Sequence, residues 1–303
     1  MGVLKNLHGM TRSEQKEFFD SFDQVLFEIK DSIDGKVNIL PDKLSTIKYF
    51  GKIKKDVRYL TDNSGSKTET VVDYLHQQNI VTQREDVFRP IESVIAYFKN
   101  KGFKKEIFVI GSSLLKEELE HAGFDLAEEV PKEIGKNFRG VFVNNKDNSN
   151  VGAVILDHNF NLSFIMLQKA FWCLGSPDCE LITINPEKEI VTEQGNILGI
   201  YYFVKTLKDI TKKLEVNLGQ YSQHYHEALA KKFQISDPKR ILYIRELDTK
   251  YKEIEIEENF QEILILNGTD EQREDELKKH MNSNCKYFVE NWDSLNKILR
   301  DVY

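Results

Sequence analysis

Short, almost continuous apolar runs alternate with amphipathic stretches along most of the chain. Residues 24–27, 57–60, 106–110 (EIFVI), 151–156 (VGAVIL), 180–184 (ELITI), 241–244 (ILYI), 263–266 (ILIL) and 286–289 read as strands. The stretches between them read as helices. Pro41 stands at the first position of a helix running to about Phe50, where its fixed φ and missing N–H cost nothing. Residues 67–78 carry Val71, Val72 and Leu75 at helical spacing, and Pro90 opens a helix with Ile91, Val94, Ile95 and Phe98 on one face. Ser112 caps a helix bearing Leu114, Leu115 and Leu119. Further helices are predicted over 163–174, 200–214, 222–233 and 292–302. Strands apolar on both faces belong to parallel sheets covered on both sides, so the alternation predicts an α/β protein.

With 303 residues, the chain has room for about two domains. A composition of 40% hydrophobic and 30% charged residues is enough to bury a core and argues against disorder. Lys plus Arg number 42 and Asp plus Glu 49, a net charge of −7, which disfavours a general role on a phosphate backbone; no nucleic-acid partner is expected. Apolar runs stay well short of a membrane span, and residues 1–15 have no apolar core of a secretory signal. Cys173, Cys179 and Cys285 form no CxxC pair, so reduced thiols in a cytoplasmic protein, without a membrane, are expected. Residues 144–150 (NNKDNSN) read as a loop and the charge-rich 250–258 as a solvated face.

Ligands of open α/β sheets sit at the carboxyl ends of strands, which directs attention to the residues after Phe27, Leu60 and Ile244. FDQVLFEIKDSI at 22–33 resembles the first motif of the haloacid dehalogenase-like phosphatases, in the branch of phosphoglycolate, pyridoxal and p-nitrophenyl phosphatases. YLTDNSGSKT at 59–68 is similar to that branch's second motif. Residues 107–124, 151–161 and 176–200 resemble its cap, and ILYIRELDTK at 241–250 stands where the fourth motif belongs. The resemblance implies a doubly wound Rossmann-like core over 1–88 and 205–303, with an α/β cap inserted over 89–204.

The same resemblance implies phosphoryl transfer to an Asp at the end of the first strand, followed by hydrolysis. A second Asp two residues on acts as acid and base, and a Lys and further Asp side chains hold the phosphate and Mg²⁺. In this chain Glu28 stands at the nucleophile position, Lys30 at the acid/base position and Asp31 at the following glycine. Gln220 replaces the phosphate-clamping Lys and Tyr221 the proline after it. Aligning Leu247-Asp248-Thr249 places Arg245 on the first metal-side Asp and Lys250 on the later one; a one-residue shift would bring Glu246 to the first position. Thr61 keeps the family identity. Where the family has four Asp and one Lys, this chain has one acid, one amide and three cations. Two like charges about 4 Å apart repel by about 4 kcal/mol at an effective dielectric near 20. No metal and no cofactor is therefore expected, with Glu28 paired to Lys30, Arg245 or Lys250. Glu is also one methylene longer than Asp, and a misplacement of about 1 Å costs about 10²-fold in rate.

These readings lead to the expectation of a catalytically inactive homologue. It would be a binding, scaffold or regulatory protein rather than an enzyme, homodimeric through the cap and with an unidentified protein partner. One alternative is a weak Mg²⁺-dependent phosphatase using Glu28 as nucleophile. Another is a sensor of a small phosphorylated metabolite, in which Thr61, Lys30, Arg245 and Lys250 hold a phosphate or carboxylate. Against anion binding stands internal pairing of those cations with Glu28, Asp31, Glu246 and Asp248. His224 and His226 lie two apart on a helix and do not face one another, so they are not expected to share a metal. Phe160, Phe164, Phe171 and Trp172 read as core, with an interface role as the alternative.

Overall fold

A computed structural model describes residues 4–29, 37–131, 148–192, 195–220, 222–246, 260–266 and 286–303. The strands are β1 (Lys5–Asn6), β2 (Gln24–Glu28), β3 (Asp56–Leu60), β4 (Val87–Phe88), β5 (Glu106–Ile110), β6 (Val151–Leu156), β7 (Glu180–Thr183), β8 (Glu189–Thr192), β9 (Gly195–Leu198), β10 (Glu215–Asn217), β11 (Ile241–Glu246), β12 (Gln261–Ile265) and β13 (Tyr287–Val289). The helices are α1 (Arg12–Asp20), α2 (Pro41–Lys52), α3 (Thr68–Gln77), α4 (Pro90–Asn100), α5 (Ser113–His121), α6 (Phe164–Leu174), α7 (Tyr201–Thr211), α8 (Gln223–Lys232) and α9 (Trp292–Val302).

One sheet has the order β1-β13-β12-β11-β2-β3-β4 and every pairing in it is parallel. From β2 the chain moves outward through β3 and β4. When it returns at β11 it lies on the other side of β2 and moves outward the opposite way. The connections therefore part between β2 and β11, leaving a crevice at their carboxyl ends, where open α/β sheets bind ligands. Strand alternation sorts the residues between two cores. Val25, Phe27, Leu242, Ile244, Ile263 and Ile265 pack with Phe19, Ile47, Phe50, Leu75 and Leu295. On the opposite face Leu26, Leu60, Ile241 and Tyr243 pack with Tyr225, Leu229 and Phe88. Burial of each large apolar side chain is worth roughly 1.5–3 kcal/mol, and these two layers supply it on both sides.

The second sheet has the order β10-β7-β6-β5, again parallel. Phe108, Ile110, Val154 and Leu156 face Ala170, Leu174, Val204 and Leu207, while Ile107, Val109, Ala153 and Ile155 face Ile91, Val94, Leu115 and Leu119. A separate antiparallel hairpin joins β8 and β9. The boundary expected between residues 204 and 205 falls inside α7, whose Val204 and Leu207 belong to the second sheet's core. Because β10 also pairs with β7, the chain returns to the first sheet only after Asn217.

The aromatic cluster is not core as expected. Phe160, Phe164 and Phe171 are 63%, 65% and 39% exposed. Among the described residues no helix is long and apolar enough to cross a membrane. Cys173 and Cys179 are free and buried, and burial pushes their thiols up to about 11 and about 12.

Candidate active site

Glu28 ends β2 at the crevice between the two halves of the first sheet, and it is only 4% exposed. The ladder continues one step past it, through Ile29 N–H donating to the Leu60 carbonyl at 2.6 Å. A buried carboxylate is tolerated only where donors meet it. Gln220 Nε2 donates to Glu28 Oε1 at 2.9 Å, and the Tyr243 hydroxyl donates to the same oxygen. Tyr243 is a diagonal neighbour, since it lies opposite Leu26 in the ladder and side chains two apart share a face. Burial, followed by the charge of Glu28, holds its phenol well above the ordinary tyrosine range, so it remains a donor.

Gln220 reaches this point because the chain passes very close to the second sheet. Leu218 N–H donates to the Thr183 carbonyl at 2.8 Å, continuing β10 along β7. A Cβ on Gly219 would stand 1.5 Å from the Ile184 carbonyl oxygen, so only glycine fits there. Gly219 N–H donates to Asn217 Oδ1 at 2.9 Å, and the Ser222 side chain then caps α8 by accepting from Tyr225 N–H.

Thr61 follows β3 directly and is 1% exposed. Its Oγ1 accepts from Asn63 N–H at 3.1 Å, Asn63 Oδ1 accepts from Gly65 N–H at 2.8 Å, and Asn63 Nδ2 donates to Ser66 Oγ at 2.9 Å. The turn 61–66 is thus folded by its own short polar side chains. Arg89 fastens its far end by donating from Nη1 to the Ser66 carbonyl at 2.6 Å, while Nη2 reaches Glu118 of α5. The second sheet also grips this turn. Fully buried Asp157, just past β6, accepts from the Ser64 hydroxyl and from Asn185 Nδ2 at 3.3 Å, and Asn185 also donates to the Asp62 carbonyl at 3.1 Å.

On β11, period-two alternation separates Arg245 from Glu246. Arg245 shares the face of Tyr243, and its Nη2 lies 3.5 Å from Glu262 Oε2 on β12, both side chains being largely buried. The pairing of Ile244 with Phe27 makes Arg245 the register neighbour of Glu28. Glu246 points to the opposite face, where it accepts from Lys43 Nζ at 2.7 Å and Trp292 Nε1 at 2.9 Å. Arg245, and not Glu246, therefore occupies the position facing the crevice. His226 on α8 is buried, and burial first, then the charge of Arg245, pull its imidazole down to about 4. Lys30 and Lys250 lie outside the described residues, as do Asp31, Tyr221 and Asp248.

The structure thus brings Glu28 and Gln220 together and places Thr61 and Arg245 at the neighbouring strand ends. Sequence reasoning did not single out Tyr243, Asp157, Asn185 or Glu262. Asp157 and Asn185 carry a usable signal, being polar residues that close apolar strands. The acid beside Arg245 stands on the adjacent strand β12, a juxtaposition that no local spacing discloses.

Mg²⁺ demands several oxygen ligands in near-octahedral array. Among the described residues no group of three or more His, Cys, Asp or Glu side chains gathers to hold a metal ion. At the strand ends Glu28 is one carboxylate and its register neighbour Arg245 offers only donors. The described donor set does not fit Mg²⁺, and no step of the chemistry is assigned to one.

A family model described as haloacid dehalogenase-like hydrolase matches residues 25–125, which contain Glu28, Thr61 and the start of the second sheet. Over those residues the chain is similar to the haloacid dehalogenase-like hydrolases. It is 24% identical over 195 residues to the 4-nitrophenylphosphatase of Schizosaccharomyces pombe, a match covering 59% of this chain and 61% of that protein. It is 25% identical over 249 residues to phosphoglycolate phosphatase 2 of Arabidopsis thaliana, covering 79% and 81% of the two chains. The fold matches the p-nitrophenyl phosphatase of Archaeoglobus fulgidus with a TM-score of 0.72 at 13% identity, over 91% of this chain and 99% of that one. The 4-nitrophenylphosphatase of Thermotoga maritima gives 0.70 at 16% identity, over 92% and 98%.

These findings correct one expectation. A non-enzyme was expected from the exchange of acids for cations, yet the relatives that the chain resembles carry the names of phosphatases, which points to an enzyme. The physical reason is that, although the exchange touches the acid/base and metal-side positions, a carboxylate still stands in the crevice at the end of β2.

Proposed function

We propose that this chain hydrolyses phosphate monoesters, with Glu28 as the group that accepts the phosphoryl. The observation that carries this reading is the buried Glu28 carboxylate at the point where the sheet connections part, oriented by Gln220 and Tyr243. The phosphatase names of its relatives support the substrate class, with p-nitrophenyl phosphate and phosphoglycolate as the first esters to try. A Glu28 oxygen attacks phosphorus, an O–P bond forms, and the bond to the ester oxygen breaks. The leaving oxygen departs as the phenolate or, after taking a proton from water, as the alcohol. Water then attacks the glutamyl phosphate, releasing inorganic phosphate and restoring Glu28. Arg245, beside Glu28 in strand register, supplies positive charge where negative charge develops.

The second sheet is read as a cap on this site, a reading supported by the ties from Asp157 and Asn185 to the turn after Thr61. We read the protein as cytoplasmic, which suits its unpaired thiols at Cys173 and Cys179. The test is release of p-nitrophenol from p-nitrophenyl phosphate by the purified chain and by Glu28→Ala. Turnover lost in the variant supports the proposal, and turnover that survives it contradicts the role of Glu28.

A further inference from the structure

Two donors, one from β11 and one from the segment leading into α8, converge on the same oxygen of Glu28. A carboxylate oxygen has two in-plane lone-pair directions, and Gln220 Nε2 and the Tyr243 hydroxyl are both directed at Oε1. Tyr243 is 1% exposed and its ring is packed among Leu26, Leu60, Ile241 and Phe260, so its hydroxyl stays in place at little entropic cost. In a strand that is otherwise aliphatic up to Arg245, it is the one side chain that ends in a hydrogen-bonding group. We infer that Tyr243 is a positioning residue for the phosphoryl transfer: with Gln220 it engages Oε1 of Glu28 and fixes the orientation from which the carboxylate attacks phosphorus.

This inference rests on the reading of Glu28 as phosphoryl acceptor. It also accounts for how a Glu can serve where the family has the shorter Asp. The extra methylene adds a rotatable bond, and two donors on one oxygen hold the carboxylate in a single orientation. The hydroxyl does no chemistry of its own. A purely electrostatic role would have the opposite signature, because a donor on a nucleophile lowers its reactivity and its removal would raise the rate.

The test compares the full chain with Tyr243→Phe, which keeps the ring and its packing and deletes only the hydroxyl. Steady-state hydrolysis of p-nitrophenyl phosphate is measured together with the ¹³C carboxyl resonance of Glu28 in glutamate-labelled protein, assigned by its disappearance in Glu28→Gln. The expected result is a fall in kcat of about tenfold or more, in line with the sensitivity of such steps to misplacement, with KM changed by less than about twofold. The Glu28 resonance is expected to move. A kcat that is unchanged or raised overturns the inference, and so does a resonance that stays where it was, even while the parent chain turns over. Absence of turnover in the parent chain instead overturns the reading of Glu28 as acceptor and takes the role of Tyr243 with it.

Discussion

His226 gives the structure a pH dependence that can be worked out in advance. The side chain sits on α8, directly after the segment that delivers Gln220 to Glu28, and it is 5% exposed. Burial, then the neighbouring Arg245 charge, lower its pKa from 6.5 to about 4. The unfolded chain therefore takes a proton near 6.5, whereas the native chain resists until about 4. The stability from keeping His226 neutral is fully present above about pH 6.5 and is lost as pH falls toward 4. Each tenfold difference in proton affinity between the two states is worth about 1.4 kcal/mol, so the loss at pH 4 amounts to about 3 kcal/mol. Carboxylates titrate in the same range, and the measurement is therefore a difference. Urea unfolding of the parent chain and of His226→Leu is followed at pH 7 and at pH 4. The parent is expected to lose about 3 kcal/mol more than the variant over that interval. Parallel pH dependences, agreeing within about 0.5 kcal/mol, would refute the burial argument, given that additive errors between such variants are of that size.

Three other experiments probe the supports of the site. Gly219→Ala forces a methyl against the Ile184 carbonyl, so unfolding should be easier by about 1–3 kcal/mol and hydrolysis should fall as Gln220 is displaced; unchanged urea midpoints and rates would count against the close approach. Lys43→Met leaves Glu246 buried with the Trp292 N–H, and a loss of about 3–5 kcal/mol in urea unfolding is expected, partly recovered when Glu246→Gln is added; strict additivity would reject the pair. Ser64→Ala and Asp157→Ala, made singly and together, should show a coupling of about 0.5–3 kcal/mol in a double-mutant cycle, and no coupling would mean that the second sheet does not hold the turn after Thr61.

Most of the core was legible because parallel strands buried on both faces must be apolar throughout, and β2, β6, β11 and β12 are largely so. Helices with a proline at the first turn or a capping serine, such as α2, α4 and α5, were placed for equally local reasons. The elements missed are those whose signals are short or polar. α1 is held by a capping box between Thr11 and Glu14 over a polar stretch, and β10 is three residues long. The helix expected to run to Leu214 stops at Thr211, because Lys212 turns into the left-handed region at φ 58°. At the site, Glu28, Thr61 and Arg245 could be found because each closes or follows a strand, and Gln220 because it stands where the resemblance places the phosphate-clamping Lys. Tyr243 and Glu262 could not, since their meaning lies in contacts across neighbouring strands, whose order no local pattern discloses.

The central claim is that Glu28 takes the phosphoryl group. It is tested most directly by quenching the chain in acid during turnover of p-nitrophenyl phosphate and mapping the modified peptide by mass spectrometry. The account predicts a peptide heavier by one HPO₃, with the added mass on Glu28 and absent in Glu28→Gln. Turnover with the added mass on another residue, or undiminished turnover by Glu28→Gln, would contradict it.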